Sequence, residues 1–316
     1  MRLEMAKSFA KKAAEIAMRH YKRTEGRRKG NEGIVTAADG EIEEFVKKRI
    51  REVFPAERIL GEETGFSEEP GESTEKSAAA ENAGLAGPAR TSAKDDLLAR
   101  LGGPPKKQTV KELFKNMPAA PVAPVLGGAG DVLWAIDPID GTSAFASGLP
   151  IWAISIGIVT NGIPDLGVMS IPAIDELFWG DKDGVFLNGK EIKPRAGVDE
   201  FDSETAVLVP SNAHRKYQLD FTGKTRSMGS LAAHMAFVAA GAADAAILGR
   251  PHLWDIAAGA AFILRQGGTI LTFSGKPCDW APMVAGERSS EPLIAGPEKT
   301  IRALLSCIKI RSANTV

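Results

Sequence analysis

The sequence predicts an α+β fold of stacked helix and sheet layers, interrupted by one long low-complexity insertion. Three observations carry this expectation. Outside residues 67–130, helical and strand-like hydrophobic patterns alternate along the chain. Inside that segment, 64 residues hold 8 Gly, 7 Pro and 12 Ala with Phe114 the only aromatic, too little apolar surface to offset the entropy of ordering. The other 252 residues suit one layered unit, and no repeat of about 20 to 50 residues divides them. The chain therefore reads as a unit begun by residues 1–66, an insertion at 67–130, and the remainder of the same unit at 131–316.

The elements follow in order. Leu3 to Tyr21 sets Leu3, Phe9, Ala10, Ala13, Ile16, Ala17 and His20 on one helical face, and Ile42 to Val53 does the same with Ile42, Phe45, Val46, Ile50 and Val53. Asp39 stands just ahead of the second helix, where a carboxylate caps free amides. In the insertion, Lys94 to Leu101 and Thr109 to Met117 have helical spacing, and Pro118 to Pro124 is extended. Strands are expected at Arg58 to Gly61, Leu133 to Ile136, Ile154 to Val159, Leu166 to Ser170 and Leu177 to Gly180. Asn188 and Gly189 signal a hairpin turn within Val185 to Ile192. Then come a strand at Ala206 to Val209, a helix near Ser230 to Ala240, a strand at Ala245 to Leu248 and a helix opening at Asp255. Thr269 to Phe273 and Met283 to Ala285 read as closing strands, and Glu298 to Ile308 as the last helix. Met5, Met18, Met228, Met235, Trp152 and Trp179 are expected in the core.

Composition excludes several classes. With 39 basic against 40 acidic side chains there is no basic excess of the kind a general nucleic-acid binder carries. Two cysteines make no disulfide framework and no zinc spacing. The longest apolar stretch, Leu231 to Leu248, is interrupted by His234, Gly241 and Asp244 and reads as a buried helix plus strand, not a membrane span. Lysines scattered through the N-terminal amphipathic pattern do not resemble a secretory signal, so a cytoplasmic location is expected.

Three acidic clusters stand at the ends or beginnings of elements. Gly61-Glu62-Glu63 follows a strand. Trp134-Ala-Ile-Asp137-Pro-Ile-Asp140-Gly141-Thr142 runs an apolar strand into Asp137, where Pro138 stops regular pairing and Asp140 returns beside a glycine. In Trp254-Asp255-Ile-Ala-Ala-Gly259 an aspartate stands at the start of a small-residue helix. Taken singly, Asp140 and Asp255 read as helix caps. Taken together, carboxylates without His or Cys partners are the hard oxygen donors that Mg²⁺ prefers.

These motifs resemble the inositol monophosphatase family of Mg²⁺-dependent, lithium-sensitive phosphatases. The resemblance rests on Asp137-Pro-Ile-Asp-Gly-Thr142 followed by Phe145, on Gly61-Glu-Glu63, and on Trp254-Asp-Ile-Ala-Ala-Gly259. Ile34-Val-Thr-Ala-Ala-Asp39, Val185-Phe-Leu-Asn-Gly189 and Arg226-Ser-Met-Gly-Ser230 also fit, so nearly everything outside the insertion is covered. The resemblance implies a five-layered αβαβα, sugar-phosphatase-like sandwich and two or three Mg²⁺ ions. It implies a first ion held by Glu62, Asp137 and the Ile139 carbonyl, a second by Asp137, Asp140 and Asp255, and a weaker third near Glu62 with Asp39 in its outer shell. Glu62 and Thr142 would orient the attacking water, and no covalent phosphoenzyme is required. Asp140, Gly141, Thr142, Gly229, Ser230 and Asp255 would contact the small phosphorylated substrate, with the Gly141 and Thr142 amides cradling phosphate oxygens. The family also commonly forms dimers.

Substrate choice departs from the inositol enzymes. Inositol-specific members place a Glu seven residues before the last motif aspartate to bind a ring hydroxyl; this chain has Leu248, with Arg250 and His252 close by. The Ser-Gly-Leu-Pro150 run resembles the histidinol-phosphate phosphatase branch, and insertions between the first two motifs occur in branches acting on nucleotide or inositol bisphosphates. In that case Lys106, Lys107, Lys111 and Lys115 belong to a lid; otherwise the insertion is a tolerated surface loop. The basic run Arg19, Lys22, Arg23, Arg27, Arg28 and Lys29 either concentrates anionic substrate or is a solvated helix end. A catalytically silent metal-binding scaffold would show damage at one of the carboxylates or at Thr142, and none is visible.

Overall fold

Every core-facing residue expected in the first helix except Leu3 and His20 is buried, and this fixes the outermost layer of the fold. The structure is a computed structural model that describes residues 1–23, 26–28, 34–67 and 131–311. The expected insertion from residue 68 onward, with its helical, extended and lysine-bearing stretches, lies outside the described residues, as does Lys29. In chain order the helices are α1 (Arg2–His20), α2 (Ala37–Val53), α3 (Thr142–Ala146), α4 (Ala213–Lys216), α5 (Leu231–Ala239), α6 (Leu253–Arg265), α7 (Ala281–Val284) and α8 (Glu298–Leu305). The strands are β1 (Arg27–Arg28), β2 (Ile34–Val35), β3 (Arg58–Gly61), β4 (Gly65–Phe66), β5 (Val132–Asp140), β6 (Ala153–Thr160), β7 (Ile163–Ile171), β8 (Glu176–Asp181), β9 (Gly184–Leu187) and β10 (Lys190–Glu191). They continue with β11 (Ala206–Leu208), β12 (Tyr217–Leu219), β13 (Lys224–Arg226), β14 (Ala245–Gly249), β15 (Thr269–Thr272), β16 (Leu293–Gly296) and β17 (Ile308–Ile310).

Five layers result. The α1–α2 pair packs on one face of an eight-stranded sheet of order β10-β9-β8-β7-β6-β5-β3-β4. Phe9 of α1 and Phe54, just past α2, close on Trp134 of β5 with ring centroids 6.3 and 5.4 Å away. The α5–α6 pair fills the space between this sheet and a five-stranded one of order β13-β11-β14-β16-β15, and α8 covers the far side of the second sheet. This is the expected αβαβα sandwich. The middle layer is tight because its contact residues are small: a Cβ on Gly157 of β6 would come within 2.4 Å of Ala257, and one on Gly259 within 2.4 Å of Met235. The small-residue run after Asp255 is thus what lets α6 lie against both β6 and α5.

Several expectations shift. Asp39 lies inside α2 as its third residue, and Thr36 is the cap: the Thr36 side chain accepts from the helix amides while the Asp39 carboxylate accepts from Thr36 N at 2.8 Å. Regular pairing breaks at Pro138 as expected, but the strand does not end there: β5 runs on to Asp140 across a register shift between Asp137 and Asp140. The last acidic helix opens at Leu253, two residues ahead of Asp255. Met283 to Ala285 is no strand, since Pro282 opens the short helix α7 there. The strand that closes the second sheet is β16, between β14 and β15. The final helix stops at Leu305, and Ile308–Ile310 pairs with β12. Met18 is 42% exposed and Met5, Met228 and Trp179 are half-buried, so of the expected set only Met235 and Trp152 are fully buried in the core. The hairpin turn is confirmed, with Asn188 at φ 49° and Gly189 at φ 86°.

Candidate active site

All three acidic clusters arrive at one place, delivered by two strands of the eight-stranded sheet and by helix α6. β3 and β5 are parallel neighbours, with Gly61 opposite Ile136, so the turn after β3 and the bulged end of β5 emerge side by side. The Glu62 amide donates to the Ile136 carbonyl at 3.1 Å, which fixes that juxtaposition. Asp255 comes from the first turn of α6, where its carboxylate accepts the His252 amide at 2.7 Å. Carboxylate oxygens of Asp137, Asp140 and Asp255 lie within 4.8 Å of one another. These are the three residues expected to share the second ion. Glu62 lies outside this triplet and adjoins it through a side-chain contact with Asp137.

Each carboxylate is held differently. Asp140 serves as the side-chain acceptor for a helix other than its own: its Oδ2 takes the Ser230 hydroxyl and, at 2.6 Å, the Ala232 amide at the start of α5. The Ser230 Oγ is itself engaged by the Ala233 amide at 3.0 Å, so this predicted substrate contact is occupied on both sides. Asp137 is 1% exposed, and among the described residues its buried Oδ1 has no hydrogen-bond partner, nor do Glu62 Oε2 and Asp39 Oδ1. Burial raises every one of these acids. It lifts Glu62 to about 8, helped by the Asp255, Glu63 and Asp140 charges and opposed by the Asp137 hydrogen bond. It lifts Asp137 well above the carboxylate range, with Glu62 next in importance. Asp255 rises to about 7 through burial and the Asp140 charge, against the His252 amide and the Arg288 guanidinium. Asp140 and Asp39 each reach about 6 for the same leading reason, held down by their donors.

Such a group of buried acids ionises together only with a counter-charge inside it. The donors are all oxygen, and among the described residues three buried carboxylate oxygens, on Asp137, Glu62 and Asp39, are unclaimed. That combination fits a hard divalent cation.

The remaining predicted residues fall around the cluster. Gly141 adopts φ 86° at the start of α3, and a Cβ there would sit 2.7 Å from the Gly229 carbonyl, so the β5–α3 turn and the Gly229-Ser230 segment interlock only because it is glycine. The Thr142 hydroxyl donates to the Ile139 carbonyl at 3.0 Å. His252 precedes α6 with its ring stacked on Trp254, centroids 4.2 Å apart. Leu248 is buried in the core, and Arg250 is exposed. Of the basic run, Arg19 is paired with Glu41 at 2.7 Å and Lys22 lies over the Tyr21 ring; these contacts are local to α1 and its surroundings.

Two site residues were missed by the sequence reading. Glu43, 1% exposed on α2, accepts from the Glu63 amide at 2.8 Å, the Thr64 amide at 3.0 Å and the Thr64 hydroxyl at 2.6 Å, and pairs with Lys47 at 2.9 Å. It grips the turn that carries Glu62, and Gly61 is required there because a Cβ would meet the Glu43 carboxylate at 2.6 Å. The only signal was a Glu one helical turn beyond Asp39. His234, buried on α5, accepts the Met228 amide at 3.0 Å and so anchors the segment leading to Ser230. It was noticed only as a break in an apolar stretch.

With this geometry in hand, the comparisons are specific. The sequence pattern of the inositol monophosphatase family matches residues 2–300. The chain is 29% identical over 289 residues to the fructose-1,6-bisphosphatase/inositol-1-monophosphatase of Thermotoga maritima, covering 87% of this chain and 86% of that protein. It is 28% identical over 292 residues to inositol monophosphatase 3 of Solanum lycopersicum, covering 88% of each. Among solved structures, the Thermotoga maritima IMPase matches with a TM-score of 0.66 at 24% identity, over 97% of this chain and 96% of that one. The inositol monophosphatase from Anabaena matches with a TM-score of 0.62 at 23% identity, over 96% and 95%. These two likenesses speak to the fold.

Proposed function

This chain belongs to the inositol monophosphatase family and is a phosphoric monoester hydrolase, and we propose that it cleaves a small phosphomonoester by direct attack of water in a Mg²⁺-dependent reaction. The family is metal-dependent, and the acidic cluster offers a place for metal. Asp137, Asp140 and Asp255 would hold one ion, and Glu62, Asp137 and the Ile139 carbonyl another, with Asp39 and Glu63 beside them. Bound Mg²⁺ supplies charge neutralisation for the phosphate and acidifies water at neutral pH. The observation that carries the reading is the convergence of three aspartates within 4.8 Å, beside Glu62, with buried oxygens left unclaimed.

The protein groups divide the remaining work. The Thr142 proton is committed to the Ile139 carbonyl, which leaves the Thr142 oxygen as an acceptor able to fix the direction of a water O–H bond. Glu62, ionised once a cation neutralises the cluster, would act with Thr142 on the attacking water and accept its proton. The amides of Gly141 and Thr142 open α3 and would receive phosphate oxygens, the Gly141 amide being shared with the Asp140 carboxylate. Asp255, in the first turn of α6, would help hold the cation that steadies the leaving alkoxide.

The test is phosphate release from inositol phosphate, histidinol phosphate, fructose bisphosphate and adenosine bisphosphate, with Mg²⁺ and with chelator. Release should require the cation. Asp137→Asn should cost about a thousandfold in kcat, equivalent to several kcal/mol of transition-state stabilisation, with the fold retained by circular dichroism. Chelator-resistant release, or near-native turnover in that variant, overturns the reading.

A further inference from the structure

Beside the acidic cluster lie two cations that the hydrolytic chemistry leaves unused. β14 ends at Gly249, and the link to α6 begins with Arg250; the segment entering β16 carries Arg288 and Ser289. These two stretches are laced together. The Ser289 amide donates to the Pro251 carbonyl at 2.9 Å, Arg250 Nε donates to the Ser289 carbonyl at 2.8 Å, and Arg288 Nη1 donates to the Arg250 carbonyl at 3.1 Å. Both side chains are exposed, and among the described residues neither guanidinium is paired with a carboxylate.

Their position connects them to the reaction. Arg250 and Asp255 bracket one short link, with the His252 amide already on the Asp255 carboxylate, and the Arg288 charge acts on that same carboxylate. The neighbouring position that could have offered a polar atom to a ring hydroxyl is Leu248, buried in the core. This side of the site is therefore poor in groups for neutral hydroxyls and rich in groups for anions. Two guanidiniums carried on backbones tied together offer one oxyanion paired, charge-assisted hydrogen bonds.

We propose that Arg250 and Arg288 are specificity-determining residues that bind a second anionic group of the substrate, so that this enzyme prefers a phosphomonoester bearing a further phosphate or carboxylate over the phosphate of a neutral polyol. The proposal rests on the acidic cluster being the hydrolytic site.

The experiment compares kcat/KM for fructose bisphosphate with that for the fructose monophosphate that keeps only the scissile ester, and with inositol monophosphate, in wild type, Arg250→Gln and Arg288→Gln. Wild type should favour the bisphosphate by at least about tenfold, the worth of one charge-assisted contact. Each variant should reduce that ratio about tenfold, mainly through KM, and should flatten its dependence on ionic strength. Thermal melting of the variants establishes that they fold, and Arg288→Gln leaves the Arg250–Ser289 tie in place should Arg250→Gln be unstable. A wild-type ratio near one, or losses equal on all three substrates, overturns the assignment while leaving the hydrolase reading intact. No phosphate release from any substrate by the Mg²⁺-loaded wild type defeats that reading, and this one with it.

Discussion

Glu43 and Asp137 are both 1% exposed, and their surroundings are opposite. Glu43 takes two backbone amides, a hydroxyl and an ammonium group. Asp137 keeps a bare oxygen and faces Glu62, Asp140 and Asp255. The α2 side of the site is a satisfied polar network, which fixes backbone; the β5 side is an unsatisfied one, which stores repulsion until a cation arrives. The difference teaches that burial of an acid has two uses here. One carboxylate is spent on geometry, and the others are kept for a ligand.

The largest effect expected from this contrast is a reversal of the ordinary pH dependence in chelated protein. Glu62, Asp255 and Asp140 have folded values of about 8, 7 and 6 against ordinary values of 4.5, 3.8 and 3.8. Because the folded values are raised, their stabilising contribution is complete below about pH 4 and is lost as pH climbs toward 8. Chelated protein should therefore melt higher at pH 5 than at pH 8. Mg²⁺ at about a hundred times its dissociation constant should add about 2.7 kcal/mol at pH 8 and flatten the profile. Asp137→Asn should raise the chelated melting temperature while losing most of the Mg²⁺ response. A chelated protein that melts lower at pH 5 than at pH 8 would break the contrast.

The next effect tests the satisfied half. Glu43→Gln leaves one acceptor oxygen and turns an NH₂ group toward backbone donors, so the Glu63-Thr64 turn must shift and Glu62 with it. Turnover should fall about ten- to a hundredfold, in the range of changes beside a metal ligand, with KM nearly constant and the pH dependence of chelated stability retained. Kinetics and melting curves on one preparation decide this. A loss of stability with kcat untouched would reduce Glu43 to scaffolding.

How much of this was legible in the sequence depends on whether a residue's role is local. Asp137, Asp140 and Asp255 could be read because each terminates or opens an element, and residue type plus placement suggested hard-oxygen ligation. The layered architecture could be read from alternating patterns. Glu43 could not: one turn past Asp39 on an amphipathic helix, an acid looks like solvent face, and only the turn after β3 supplies its donors. The same reasoning covers β16, a four-residue run between Pro292 and Pro297 whose centrality comes entirely from its antiparallel neighbours β14 and β15. It also covers α7, where Met283 and Val284 look strand-like and Pro282 decides otherwise. Asp140 was anticipated as a cap for α3; that it serves α5 instead is a long-range fact no local pattern contains.

The smallest effect sharpens the comparison at its boundary, in the segment that joins Asp140 to α5. His234 is buried and neutral, lowered by burial to about 4 from an ordinary 6.5, and its Nε2 accepts the Met228 amide. A depressed folded value means that its contribution is present above pH 6.5 and is lost as pH falls toward 4, the opposite sign to the site carboxyls. Between pH 7.5 and 5.5 the linkage amounts to about 1 kcal/mol. His234→Asn removes the titration and keeps a side-chain acceptor, so over that interval the variant should gain about 1 kcal/mol relative to wild type in denaturant melts. Equal slopes for the two proteins would mean that the Met228 amide does not depend on a neutral imidazole. The loop holding Ser230 against Asp140 would then be secured by Gly141 and the α5 amides alone.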